Sequence, residues 1–222
     1  MKASSNPLLQ KRSSPTFELD KLTAPTVFAK HKGQTTEQIR DLRRQQSAQE
    51  ALAGWDKTIE LHGLTKAQFS LIDLLRTLLI DHLGPAEMFI SIWTAANTDI
   101  TTVLEFVDAK MVTGARWLVD LTFQRRSPGL AKRIRDAFGP DAIRVGKNHA
   151  KFTILRNDDY QVIVNTSMNL NFNPRFENFT VQHNPELCQF YWDIADEIWS
   201  KQSRGQADQT PYKIEKHWAK DL

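Results

Sequence analysis

His149 and Lys151 stand one residue apart, and so do Ser167 and Asn169 further on, with Asp159 in the stretch between the pairs. In an extended chain, residues two apart share a face, so each pair points one way if it lies on a strand. The Asn157-Asp158-Asp159 run has good turn chemistry and suits a hairpin that sets the two strands side by side. An imidazole, an ammonium and a carboxamide then converge on one spot, and a phosphate diester fits there. Lys151 and Asn169 would hold the non-bridging oxygens, while an imidazole, with a reference pKa of about 6.5, can attack phosphorus. A histidine on a strand is by itself usually a packed or hydrogen-bonded residue. The company of Lys151, Ser167 and Asn169, in this order, makes catalysis by His149 the expectation.

The order H-x-K, a later Asp, Thr166-Ser167-x-Asn169 and then Glu177-Asn178 resembles the signature of the phospholipase D superfamily, over roughly Ala86 to Phe179. The resemblance implies a mixed α/β sheet with helices on its faces and one motif-bearing half per chain. It also implies a covalent phosphohistidine on one histidine. A second histidine protonates the leaving oxygen and then activates water, with no metal and no cofactor. Only one H-x-K is present, because neither His31-Lys32 nor His217 with Lys220 has the right step or a following S-x-N. The resemblance therefore implies a homodimer whose twofold axis brings two copies of the motif together, as in the small nucleases of the superfamily. His149 is then nucleophile in one subunit and general acid in the other. Lys151 and Asn169 bind phosphate, and Ser167, Asp159 and Glu177 complete the catalytic set. Thr166, Asn171, Arg175, Arg125, Arg126 and Lys147 are the expected substrate contacts. The sequence departs from the pattern in three places. Arg156 occupies the usual place of the acid, so that Asp159 fits only a longer hairpin; Thr166 replaces glycine; and the interval to Glu177 is short. Short chains with an H-A-K and an M-N-L-N-x-N-P-R run also resemble those encoded by bacteriophages and prophages.

The chain has 222 residues and 41% hydrophobic content, enough for one core of ordinary size. Its single cysteine, Cys188, excludes an internal disulfide framework and a multi-cysteine zinc site within one chain. No apolar run is long enough to span a bilayer and the Ser-rich start is polar, so a cytoplasmic protein without a membrane partner is expected. The formal charge of +3 is mild, but Arg116 to Arg156 is rich in Arg and Lys against only Asp120, Asp136 and Asp141. That excess is the footprint expected for a polyanion, which makes DNA or RNA the expected partner and a nuclease the leading function. The rival functions are a catalytically inactive nucleic-acid-binding or assembly protein and a phospholipase or phosphatidyl transferase.

Around the motif, residues 1–34 read as a flexible basic arm and 35–84 as a helical extension. Residues 85–202 read as the phospholipase D-like domain and 203–222 as a C-terminal tail. Capping boxes at Thr35/Gln38, Thr65/Gln68 and Thr102/Glu105 mark expected helix starts, and Ser127-Pro128 marks another. Met88–Ala96, Ala115–Phe123, AIRV, KFTILR and YQVIVNTS read as strands. Asn184-Pro185 opens a final helix with Leu187, Phe190, Ile194 and Ile198 on one face.

Overall fold

A computed structural model describes residues 26–31, 41–44, 47–123 and 129–202. The chain runs β1 (Thr26–His31), β2 (Asp41–Arg44), α1 (Ala48–Leu52), β3 (Ile59–Lys66) and α2 (Leu71–Thr77, continuing in a wider turn to Leu83). It goes on through β4 (Ala86–Ile92), α3 (Asn97–Asp108), β5 (Val112–Asp120), α4 (Leu130–Phe138) and β6 (Ile143–Gly146). It ends with β7 (Phe152–Arg156), β8 (Gln161–Thr166), β9 (Phe176–His183) and α5 (Pro185–Lys201). The strands form one sheet in the order β2-β1-β3-β9-β8-β7-β4-β5-β6. β4, β5 and β6 are parallel and every other neighbouring pair is antiparallel.

The central strands are apolar on both sides, as a sheet covered on both faces requires. One face packs α1 to α4 over a cluster that includes Leu52, Leu74, Leu78, Ile90, Ile100, Trp117 and Ile134. The other face carries α5, whose Cys188, Trp192 and Ala195 meet Phe89, Phe152, Ile154 and Ile163. The expected α/β architecture is present, and the strands read from Met88 onwards fall in β4 to β8.

Several expected boundaries move. Helix through residues 35–53 is replaced by strand β2 and the short α1, because pairing with β1 satisfies the backbone of Asp41–Arg44 in a way local propensity does not reveal. Thr26–His31, placed within the arm, is β1, while the rest of 1–34, the Thr35/Gln38 box, Ser127-Pro128 and the tail 203–222 lie outside the described residues. The helix expected from Thr65 starts at Leu71 instead. Ser70 and Asp73 make its reciprocal cap, whereas the Gln68 side chain accepts from Thr65 Oγ1 (3.0 Å) and closes the turn after β3. Helix α3 begins at Asn97, five residues ahead of the Thr102 box, and the Thr102 hydroxyl bonds back to Thr98 O inside it. On α5 the stripe that turns inward is Cys188, Trp192 and Ala195, while Phe190 and Ile194 are exposed; the large indole of Trp192 sets the helix rotation against Phe89.

Strand β3 belongs to the segment expected to be helical, yet it pairs with β9 over Leu61–Lys66. Gly63 makes this possible. A Cβ there would stand 2.1 Å from the Phe179 ring, which crosses the strand to meet Phe69 edge-on. A glycine that reads as a strand breaker is what lets the two strands approach.

Candidate active site

All the loops that carry the motif leave the same edge of the sheet. β4, β6 and β8 end there, β7 and β9 begin there, and β3 ends beside β9. His149 lies in the short link from β6 to β7, and a buried neighbour holds that link. The Asn148 amide nitrogen donates to Ser91 Oγ (3.0 Å), Leu118 O (3.2 Å) and Ile92 O (3.3 Å), and its Oδ1 accepts from Ala150 N (3.1 Å). Ser91 Oγ in turn donates to Ala150 O (3.0 Å). The residues on both sides of His149 are thus tied to β4 and β5, while the imidazole itself is exposed and 5.7 Å, centroid to centroid, from the Trp93 ring.

Lys151 immediately precedes β7, and its carbonyl accepts from Thr166 N (3.1 Å), which brings the S-x-N turn alongside. The ammonium donates to His149 O (3.0 Å) and lies 3.4 Å from His149 Nδ1. Partial burial lowers the Lys151 pKa from the usual lysine value, because the charged form loses water, and the Glu177 carboxylate partly offsets this. Ser167 is used structurally: its hydroxyl donates to Glu177 Oε2 and accepts from Asn178 N (3.0 Å). Asn173 Nδ2 holds the other Glu177 oxygen (2.8 Å), which fixes the carboxylate beside Lys151. Asn169 Oδ1 accepts from Trp93 N (3.1 Å) and Thr94 N (3.2 Å). With its oxygen used, Asn169 has its NH₂ group to offer a ligand, a donor suited to a phosphate oxygen.

His149, Lys151, Ser167, Asn169 and Glu177 therefore come together. Asp159 does not. It sits in the turn between β7 and β8, where Asn157 Oδ1 accepts from Asp159 N (3.0 Å) and Tyr160 N (2.7 Å). The five residues of β7 separate that turn from Lys151, roughly 16 Å at strand rise. Arg156, in the usual place of the acid, pairs with Glu87 (2.8 Å) and stacks on Trp192. Thr166 is turned into the chain, donating to Asn178 O (2.7 Å) and accepting from Met168 N (2.9 Å), so its hydroxyl closes a turn instead of facing a ligand. Asn171 is half-buried, Arg175 and Lys147 are exposed near the site, and Arg125 and Arg126 lie outside the described residues.

Several described arginines of the basic stretch are engaged by other parts of the fold. Arg116 pairs with Asp196 and lies over Trp192 and Trp199. Arg144 is 2% exposed and bonds Gln202 O (2.9 Å) and Asp141. Arg133 donates to Asn97 and Thr101. Arg116 and Arg144 tie the sheet to the last helix and its end, and Arg133 ties α4 to α3, so among the described residues the positive run in sequence is not one positive surface. Among the described residues no cluster of His, Cys, Asp and Glu could hold a metal ion, and no helix is long and apolar enough to cross a membrane.

Asn148, Ser91 and Trp93 escape a reading of the sequence, because only the packing of β4 against β7 brings residues so far apart into contact. Asn148→Asp is expected to set a carboxylate against the carbonyls of Ile92 and Leu118. Leaving buried groups unpaired costs about 1–3 kcal/mol each, so a clear drop in the urea midpoint should accompany the loss of order at His149. An unchanged midpoint would show that these bonds do not hold the link.

The fold and the site define an α/β protein that gathers an H-x-K and an S-x-N element at one edge of a single mixed sheet. No family model and no curated protein matches the chain. Three of the solved structures to which it is similar are the following. One is polyphosphate kinase from Porphyromonas gingivalis, 14% identical with a TM-score of 0.47, covering 66% of this chain and 27% of that one. The second is Nuc from Salmonella typhimurium, a phospholipase D family member, 15% identical with a TM-score of 0.41, covering 59% of this chain and 88% of that one. The third is NucT from Helicobacter pylori, 14% identical with a TM-score of 0.42, covering 64% of this chain and 96% of that one. The chain thus corresponds to about a quarter of the polyphosphate kinase and to most of the other two.

Proposed function

We propose that this chain is a metal-independent phosphodiesterase of the phospholipase D type that cleaves DNA or RNA as a homodimer. The observation that carries the proposal is the approach of Lys151, the Asn169 NH₂ group and an exposed His149 at one edge, with Glu177 fixed beside them. A diester phosphate is held through its non-bridging oxygens by Lys151 and Asn169, drawing the ammonium away from the His149 carbonyl. An unprotonated ring nitrogen of His149 then attacks phosphorus, forming a P–N bond as the P–O bond to the leaving oxygen breaks.

In-line displacement needs a proton donor on the far side of phosphorus. The histidines described with side chains elsewhere in the chain are engaged away from this edge: His62 with Glu60 (3.1 Å), His82 against Trp55, and His183 with Gln161 N (3.1 Å). A second copy, related by a twofold axis, supplies its own His149 to protonate the leaving oxygen. That same imidazole then takes a proton from the water that attacks phosphorus and breaks the P–N bond, freeing the first histidine and a phosphomonoester.

The intermediate is directly testable. Wild-type protein mixed with an oligonucleotide labelled at the scissile phosphate and quenched in alkali should retain label on the peptide containing His149. The bond should be labile to acid and stable to base, as a phosphoramidate is. Label on a serine, or complete cleavage with none on protein under rapid quench, would remove the covalent step.

A further inference from the structure

Phe172 is 67% exposed, the most exposed of the large apolar side chains among the described residues, and it stands on the loop that carries the S-x-N element. Leaving a phenylalanine in water forgoes the free energy of burying its ring. The loop that presents it is tied at both ends. Before it, Asn169 holds the backbone of Trp93 and Thr94, and Leu170 bridges Ala95. After it, Asn173 bonds Glu177, the carboxylate whose charge acts on Lys151. Phe172 is therefore one residue from a direct ligand of the phosphate-site carboxylate. It lines a narrow groove with Asn171, Asn173, Met168 and Ala67.

Beyond that groove the β3–β9 register supplies cations. Lys66 is opposite Phe176 in the last pair of the ladder, with its ammonium 5.6 Å from that ring, and Arg175 and Ala67 adjoin that pair in the sequence. Moving outward from His149, the edge thus presents a phosphate grip, an exposed aromatic face flanked by carboxamides, and then Lys66 and Arg175. Phosphate, base and phosphate recur in that order along a polynucleotide. An aromatic ring standing beside the backbone grip can stack only on a base whose face is free. Bases in a duplex have both faces covered by their neighbours, whereas those of a single strand do not.

We infer that Phe172 forms a stacking subsite for one unpaired base, with Lys66 and Arg175 holding the next phosphate, so that the preferred substrate is single-stranded nucleic acid. The inference rests on the nucleic-acid reading above. It also gives β3, which precedes the motif-bearing part of the chain, a role in the site, since Lys66 comes from it.

The test is fluorescence anisotropy with a labelled single-stranded 12-mer and the matching duplex, in the His149→Ala background so that neither is cut. Phe172→Ala should weaken single-strand binding about tenfold or more, Phe172→Trp should restore it, and duplex binding should change far less. Equal loss on both probes, or no loss on either, overturns the subsite. So does conversion of a dimer to a monomer by Phe172→Ala in light scattering, which would make the ring a subunit contact. Failure of the parent protein to bind or cut any nucleic acid would bring down the proposed function with it. Normal cleavage by a Phe172→Ala enzyme with unaltered strand preference would bring down this inference alone.

Discussion

Cleavage of nucleic acid in excess chelator is expected to fall by about four orders of magnitude or more in His149→Ala. General acid–base catalysis by one positioned side chain is worth roughly 10²–10⁴. In the proposed mechanism this single substitution removes the nucleophile from one subunit and the acid from the other, so the losses combine. His149 is exposed and its link is held by Asn148 and Ser91, so the variant should fold and keep much of its binding. The measurement is strand cleavage of plasmid, single-stranded DNA and RNA on a gel, with anisotropy on the same samples. Wild-type cleavage that vanishes in chelator would overturn the phosphohistidine mechanism. Binding without any wild-type cleavage would instead identify an inactive binding protein that keeps the fold.

Lys151→Ala is expected to lower kcat by about 10²–10³, the loss typical of removing one preorganised donor from a transition-state oxyanion. Lys151 also predicts a pH dependence with a definite sign. Burial lowers its pKa, so the ammonium proposed to grip phosphate is lost on the alkaline side at a pH below the ordinary lysine value of about 10.4. The rate should therefore fall as pH rises through that lowered pKa. Glu177 pulls the pKa back up, and Glu177→Gln removes that charge, so the alkaline limb should move to still lower pH. In Lys151→Arg, where the cation does not titrate in this range, the limb should disappear. A limb that stays put in both variants would belong to another group and would separate Lys151 from phosphate binding.

The edge that carries the motif was partly legible in the sequence because its signal is local. The Asn157 turn dictates a hairpin of β7 and β8, and the two pairs flank it as expected; but His149 and Lys151 lie just before β7 and Ser167 and Asn169 just after β8, so loop contacts with β4 and β9, not strand periodicity, set their directions. The apolar runs from Met88 onwards likewise fixed the central strands, since a sheet buried on both faces needs little more than continuous hydrophobic segments. Helix starts were less legible. The Thr65/Gln68 pair has the composition of a capping box, yet it closes a turn after β3, and only the placement of Phe69 against Phe179 decides between the two uses.

Tertiary structure alone decided the rest, because it depends on contacts between residues distant in sequence. Asn148 looks like any polar neighbour of a histidine until β4 and β5 bring Ser91, Ile92 and Leu118 to its amide. The arginines of the 116–156 stretch read as a surface field, and packing against Trp192, Trp199 and their carboxylate partners turns several of them into structural cations. Asp159 satisfies the spacing of a catalytic acid on a longer hairpin, but strand length places it at the opposite edge. Periodicity fixes which way a side chain points along its own strand. Which other strands end beside it is set by sheet order, and β3 next to β9 is a pairing that no local pattern in this sequence contains.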